Sequence, residues 1–229
     1  MNIIYRTFRA TRRLPLLKEL ADFLLRSGRN YFWSLRPASM AQTELVPTEF
    51  LSVVVEGVSG AQVPFKLIEV GCGDGRVLRR LAERFPSAHF VGIDLQKAAI
   101  DVGNKHLARS GVSRGNVQLV CGSCLGDDIS WECDFLISRT ALIYLDHEEI
   151  ETFLRKRLPQ IGRQAILQEI VSTTGKTERS HFYAHPIADL IEVIAPGQFK
   201  LTQEVLAYEP WRSERWTGAN LFVTRVRTS

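Results

Sequence analysis

Four cysteines in 229 residues, at 72, 121, 124 and 133, are too few and too clustered for the disulfide framework of a small secreted domain. Cys121 and Cys124 form a C-x-x-C, but no second ligand pair of matching spacing follows, so no metal site is expected. No stretch approaches the ~20 apolar residues that a membrane helix needs. Internal repeats and low-complexity tracts are absent as well. Charge of one sign is scarce: the chain carries +4 overall. Residues 1–36 hold eight basic side chains against two acidic ones, a net +6, which leaves −2 for everything after them. That remainder excludes the broad basic footprint of a nucleic-acid binder. The expected setting is the reducing cytoplasm.

What the chain does have is one informative turn. Lys66-Leu67-Ile68-Glu69-Val70 is a short apolar run that suits a buried strand, and Gly71, Cys72, Gly73, Asp74 and Gly75 follow it. From Arg76 the pattern is helical, with Val77, Leu78 and Leu81 on one face. Strand, glycine turn and helix open a nucleotide-binding βαβ unit. Nineteen residues after Gly75, the run His89-Phe90-Val91-Gly92-Ile93 ends in Asp94, an acid placed to accept from ribose hydroxyls. The dinucleotide fingerprint requires glycine at the first, third and sixth positions, and Arg76 stands at the sixth. Glu69 and Asp74 would also repel a pyrophosphate. A cofactor carrying an ammonium and a sulfonium would tolerate them.

On these residues the chain resembles the class I S-adenosylmethionine-dependent methyltransferases, whose first motif reads acidic-x-Gly-x-Gly-x-Gly; Glu69, Gly71, Gly73 and Gly75 fill it. The resemblance runs over residues 66–171. It implies that Asp94 holds the ribose and that Leu95 packs on the adenine. Residues 116–120 read as a third strand, after which the family places a contact to the adenine amino group. Ser123 and Cys124 occupy that segment, without the acidic residue often found there. Residues 133–138 read as a fourth strand whose end, at Ser138, would lie beside the methionine part of the cofactor. Residues 165–171 suit a fifth strand. With Cys72 in the turn, these positions make up the expected cofactor site.

Acceptor chemistry belongs beyond strands four and five, because ligands in open α/β sheets sit past the carboxyl ends of the strands. Many small-molecule methyltransferases carry a Glu-His pair where this chain has Ile143-Tyr144. Arg139 is a candidate clamp for a carboxylate or phosphate on the substrate, or the partner of a surface acid. Tyr144 is a candidate substrate contact or a core residue. The same segment is similar to the chemotaxis-receptor glutamate methyltransferases, which carry a like Arg-x-x-x-Ile-Tyr run. Candidate bases are Glu169, His181 and His185. The two histidines are four apart, but Pro186 disfavours one continuous helix through them.

The expected fold is α/β: a Rossmann-like doubly wound sheet of about seven mostly parallel strands with an antiparallel last strand. Residues 1–64 form an N-terminal helical extension and linker, and residues 65–229 the cofactor-binding domain. Short elements are expected at 49–58 (helix), 185–195 (helix), and 200–209 and 219–227 (an antiparallel final pair), with a polar, flexible stretch at 173–180. Leu16, Leu17, Leu20, Phe23 and Leu24 share one side of the basic N-terminal segment. That segment is read as a packing or capping helix, with a membrane-surface helix, a protein contact and a targeting segment as alternatives. The expected function is methyl transfer from S-adenosylmethionine to a hydroxyl or carboxyl oxygen of a small metabolite, sugar or lipid-linked intermediate. The alternatives are a protein carboxyl methyltransferase and a cofactor-binding scaffold without transfer.

Overall fold

The structure, a computed structural model, describes residues 48–110, 116–172, 177–179, 182–206 and 216–226. Expectations for residues 1–47, and for His181, lie outside the described residues.

Seven strands form one sheet in the order β3-β2-β1-β4-β5-β9-β8. They are β1 (Lys66–Val70), β2 (His89–Asp94), β3 (Val117–Cys121), β4 (Cys133–Arg139), β5 (Ile161–Ser172), β8 (Phe199–Val205) and β9 (Trp216–Arg225). The first five run parallel. β9 is antiparallel to β5, and β8 is antiparallel to β9. The expected α/β sheet with an antiparallel last strand is therefore present. Chain order reverses beside β1, whose neighbours are β2 and β4, so the crevice past the ends of β1 and β4 is the natural ligand site.

Alternation along the strands sorts the core onto two faces. Ile68, Val70, Leu136 and Leu167 meet α4 (His147–Arg157) through Phe153 and Leu154, and α5 (Ile187–Ile194) through Ile187 and Ile191. Leu67, Phe90, Phe135, Ile137 and Ile166 face the other way. There they pack with Leu78 and Leu81 of α2 (Arg76–Arg84) and with Phe50, Val54 and Val58 of α1 (Thr48–Val58). Spacing of four residues puts the last three on one stripe of α1. Phe65 centres this layer, edge-on to Phe85, Phe90 and Phe135 at centroid distances of 5.6, 6.1 and 5.3 Å. α3 (Lys97–Ser110) follows β2. α4 starts at a full capping box, in which Asp146 accepts from the backbone of Glu148 and Glu149 while Glu149 returns to the Asp146 N–H.

Two local expectations are corrected. The stretch expected to be flexible contains β6 (Thr177–Arg179), which pairs antiparallel with β7 (Phe182–Ala184). The helix expected from His185 begins at Ile187, because Pro186 takes the cap position and His185 bridges to Val171 in extended geometry.

Candidate functional site

Asp94 ends β2 and braces the glycine turn. One carboxylate oxygen accepts from the Gly73 N–H at 2.9 Å, and the other accepts from the Gln96 N–H at 2.7 Å. Each oxygen keeps a second lone pair for a ligand hydroxyl. Burial raises the Asp94 pKa, and the two N–H donors oppose that rise. The turn needs its glycines: Gly71, Gly73 and Gly75 all have φ between 56° and 73°. A Cβ on Gly71 would run into the Ala141 side chain, so the turn and the segment after β4 pack backbone against methyl. A Cβ on Gly73 would meet nothing within 4 Å, so this backbone faces open space.

Three acids surround the turn, and only one is fully spent within the protein. Asp74 is buried and accepts from Arg76 Nε at 2.8 Å, while Arg79 donates to its carbonyl at 2.6 Å. Glu69, on β1, is 4% exposed, and its Oε2 has no hydrogen-bond partner among the described residues. Its pKa is raised well above the carboxylate range, by burial first and by Asp94 and Asp74 next, with Arg139 opposing. A buried acceptor with an unmet bond and an excess of negative neighbours suits a cationic ligand group.

Beyond β4 the backbone reverses at Thr140, whose φ of 49° is rare for a β-branched residue. The reversal brings the next residues over Glu169. Glu169 Oε1 accepts from Ser138 Oγ at 2.6 Å and from the Ala141 and Leu142 N–H groups at 3.3 Å each. Its Oε2 is buried without a partner among the described residues, and burial lifts the carboxyl to about 7. Glu169 thus lies under the loop as its fastening, 1% exposed, and does not line an open crevice. Ser138 is wholly buried and its hydroxyl is engaged there, so its side chain belongs to the floor of the site.

Arg139 lies two residues past Ile137, the register partner of Glu69, and so on the same face of the sheet as that acid. Its Nε donates to Gln168 Oε1 at 3.0 Å, and Gln168 Nε2 donates to Asn220 Oδ1 at 3.1 Å. Gln168 and Asn220, both buried, carry this relay across β4, β5 and β9. No acid among the described residues forms a salt bridge with Arg139, so the surface-acid alternative finds no support. Gln168 and Asn220 escape sequence reasoning because a lone amide in a strand has no pattern.

His185 is 1% exposed; its Nε2 is 3.0 Å from the Leu145 carbonyl, and its Nδ1 is 3.3 Å from His147 Nδ1. It packs against Tyr183 and His147, away from any open crevice. Tyr144 is half-buried against Ile143, Ile170 and Ala184. Leu95 is half-buried just past Asp94. Ser123 Oγ accepts from the Leu125 N–H at 3.2 Å and so shapes its own loop. Burial pushes the Cys124 and Cys133 thiols up to about 12 and raises that of Cys72 too, which leaves all three poor nucleophiles.

Comparison with known proteins agrees with this geometry. Residues 67–158 match a family model described as a methyltransferase domain. Over 144 residues the chain is 27% identical to the malonyl-[acyl-carrier protein] O-methyltransferase of Priestia megaterium, which covers 62% of this chain and 50% of that protein. The chain thus spans about half the length of that curated relative. Magnesium protoporphyrin IX methyltransferase from Synechocystis PCC 6803, solved with bound SAM, superposes with a TM-score of 0.58 at 17% identity over 77% of this chain and 78% of its own. Geranyl diphosphate C-methyltransferase from Streptomyces coelicolor A3(2) gives 0.62 at 12% identity, over 78% and 80%. At such identities the likeness is one of fold. Residues 67–158 thus match a methyltransferase domain, the fold is that of S-adenosylmethionine-dependent class I methyltransferases, and S-adenosylmethionine is the cofactor that both point to. The residues present suit that molecule: Asp94 for ribose hydroxyls, and the orphaned Glu69 oxygen within an acidic surround for positive charge.

Proposed function

We propose that this chain methylates an oxygen of a small acidic acceptor, free or carried on a lipid or carrier group, with a carboxyl oxygen preferred over a hydroxyl. The observation that carries the reading is Arg139: a half-buried guanidinium at the end of β4, aligned through Nε by Gln168, near the buried Glu69 carboxyl but in salt-bridge contact with no acid among the described residues. Such a group repels amine acceptors and attracts carboxylates, which match its planar fork.

The bound cofactor supplies a methyl group on a sulfonium, already a good leaving group. What remains for the protein is alignment and exclusion of water. Arg139 holds the acceptor's charge. The Glu169-fastened loop sets where residues 139–144 sit, and Asp94 fixes the glycine turn opposite. The acceptor oxygen, held by Arg139, would have to present a lone pair to the methyl group that the cofactor would supply. A carboxylate does this already ionised. A hydroxyl would need a base, and of the three candidates both described ones, Glu169 and His185, are sealed inside the fold. The name of the Priestia megaterium relative, an O-methyltransferase of a malonyl carrier protein, supports the same acceptor class.

The test is a methyl-transfer assay over free and thioester-linked dicarboxylates, hydroxy compounds and amines. Turnover confined to carboxylates is expected, with Arg139→Gln raising the acceptor KM about 10–100-fold while S-adenosylhomocysteine affinity holds. Turnover of amines, or an acceptor KM unmoved by Arg139→Gln, would overturn the reading.

A further inference from the structure

Arg139, Gln168 and Asn220 stand opposite one another in register on β4, β5 and β9, so their side chains form one row on one face of the sheet. The row before it on that face, Ile137, Ile166 and Phe222, is apolar and belongs to the layer under α1 and α2. Polarity therefore begins where the strands reach the crevice.

Hydrogen bonding runs one way along the polar row. A guanidinium can only donate, so Gln168 must turn its Oε1 to Arg139 Nε, at 3.0 Å. That leaves Gln168 Nε2 facing β9, where Asn220 must answer with Oδ1, at 3.1 Å. Gln168 and Asn220 are 9% and 5% exposed, so water competes little for either bond. Asn220 thus fixes the Gln168 amide, and the amide fixes the plane of the guanidinium. With Nε engaged, Nη1 and Nη2 make up the remaining fork, and no described residue accepts a hydrogen bond from them.

The residue type at 168 decides what charge this fork carries into the crevice. Glutamate has the same shape and reach and would also accept from Nε, but as an ion pair that cancels the guanidinium. Glutamine holds the same geometry through a neutral oxygen. Glu69 acts on Arg139 from β1 only at a distance, without a salt-bridge contact. We infer that Gln168 is the positioning residue that sets the acceptor's charge: locked by Asn220, it presents Arg139 end-on, through Nη1 and Nη2, to an acceptor carboxylate, and an acid in its place would abolish that selectivity. This rests on the acidic-acceptor reading and adds the residue that determines it.

Calorimetry of malonate, succinate and glutarate titrated into the protein saturated with S-adenosylhomocysteine tests it, with the matching diamides as neutral counterparts. The parent should bind at least one dicarboxylate about tenfold or more tighter than its diamide. Gln168→Glu should weaken that dicarboxylate about 10–100-fold and remove the preference over the diamide, while S-adenosylhomocysteine affinity moves less than about threefold. Gln168→Leu, which loses the alignment but keeps the charge, should weaken the dicarboxylate by about threefold or more and retain the preference. A merely structural role for Gln168 would not separate the two variants in this way. Dicarboxylate affinity and preference unchanged in Gln168→Glu, with Arg139→Gln still weakening the dicarboxylate, would overturn the inference and leave the acceptor reading standing. If Gln168→Glu does not fold, Gln168→Leu decides, and an unchanged dicarboxylate affinity would overturn the inference. A parent that binds no dicarboxylate, or an Arg139→Gln variant that binds as the parent does, would overturn the acidic-acceptor reading and this inference with it.

Discussion

Replacing Glu169 by Gln should change how stability depends on pH more than it changes stability itself. In the unfolded chain a glutamate titrates near 4.3. In the fold, burial lifts Glu169 to about 7, against the donors from Ser138, Ala141 and Leu142. Between those values the native state binds the extra proton, so the contribution is most favourable at low pH and is lost as pH rises towards 7. Evaluated for these two pKa values, the loss from pH 5 to pH 8 is about 2.5 kcal/mol. Glu169→Gln removes that slope. It also leaves a buried amide donor where Oε2 lacked a partner, a pH-independent cost of about 1–3 kcal/mol. Urea unfolding of both proteins from pH 5 to pH 8 separates the two effects. The parent's advantage over the variant should shrink by about 2.5 kcal/mol over this range, or about 5–10 °C in midpoint. A difference constant to within about 0.5 kcal/mol would show that Glu169 titrates in the ordinary range and would refute its description as a sealed, destabilised carboxylate.

Three further outcomes are expected. Gly71→Ala places a methyl into Ala141 at a φ of 73°, and should destabilise the fold by about 1–3 kcal/mol and weaken S-adenosylhomocysteine binding measured by calorimetry. His185→Ala, which empties a buried site beside Leu145 and His147, should lower the unfolding midpoint by several degrees yet change S-adenosylhomocysteine affinity less than about threefold; a large affinity loss with an unchanged midpoint would return it to the site. Phe65→Ala, at the centre of three edge-to-face ring contacts, should cost about 3–5 kcal/mol in denaturant unfolding.

The sheet and the cofactor turn were legible for the same reason. Buried parallel strands must be apolar throughout, and a turn that lets a ligand approach the backbone must be glycine, so Leu67, Ile68, Gly71 and Gly73 advertise their positions. The place of Asp94 at the end of β2, beside the glycine turn it braces, was legible through its distance from that turn. β6 and β7 were not, because three-residue strands with polar members leave no alternating pattern. The acceptor side was harder still. Glu169 and His185 carry the right chemistry in sequence, yet only the fold shows that the Thr140 reversal covers one and that Leu145 and His147 enclose the other.

The central claim, that Asp94 and the glycine turn bind an adenosyl cofactor, is tested most directly by titrating S-adenosylmethionine into the parent and Asp94→Ala by calorimetry. One equivalent should bind the parent. The variant, which loses the ribose acceptors and the brace on the Gly73 and Gln96 N–H groups, should bind about 10–100-fold more weakly. No binding to the parent, or equal affinity in the variant, would contradict the account.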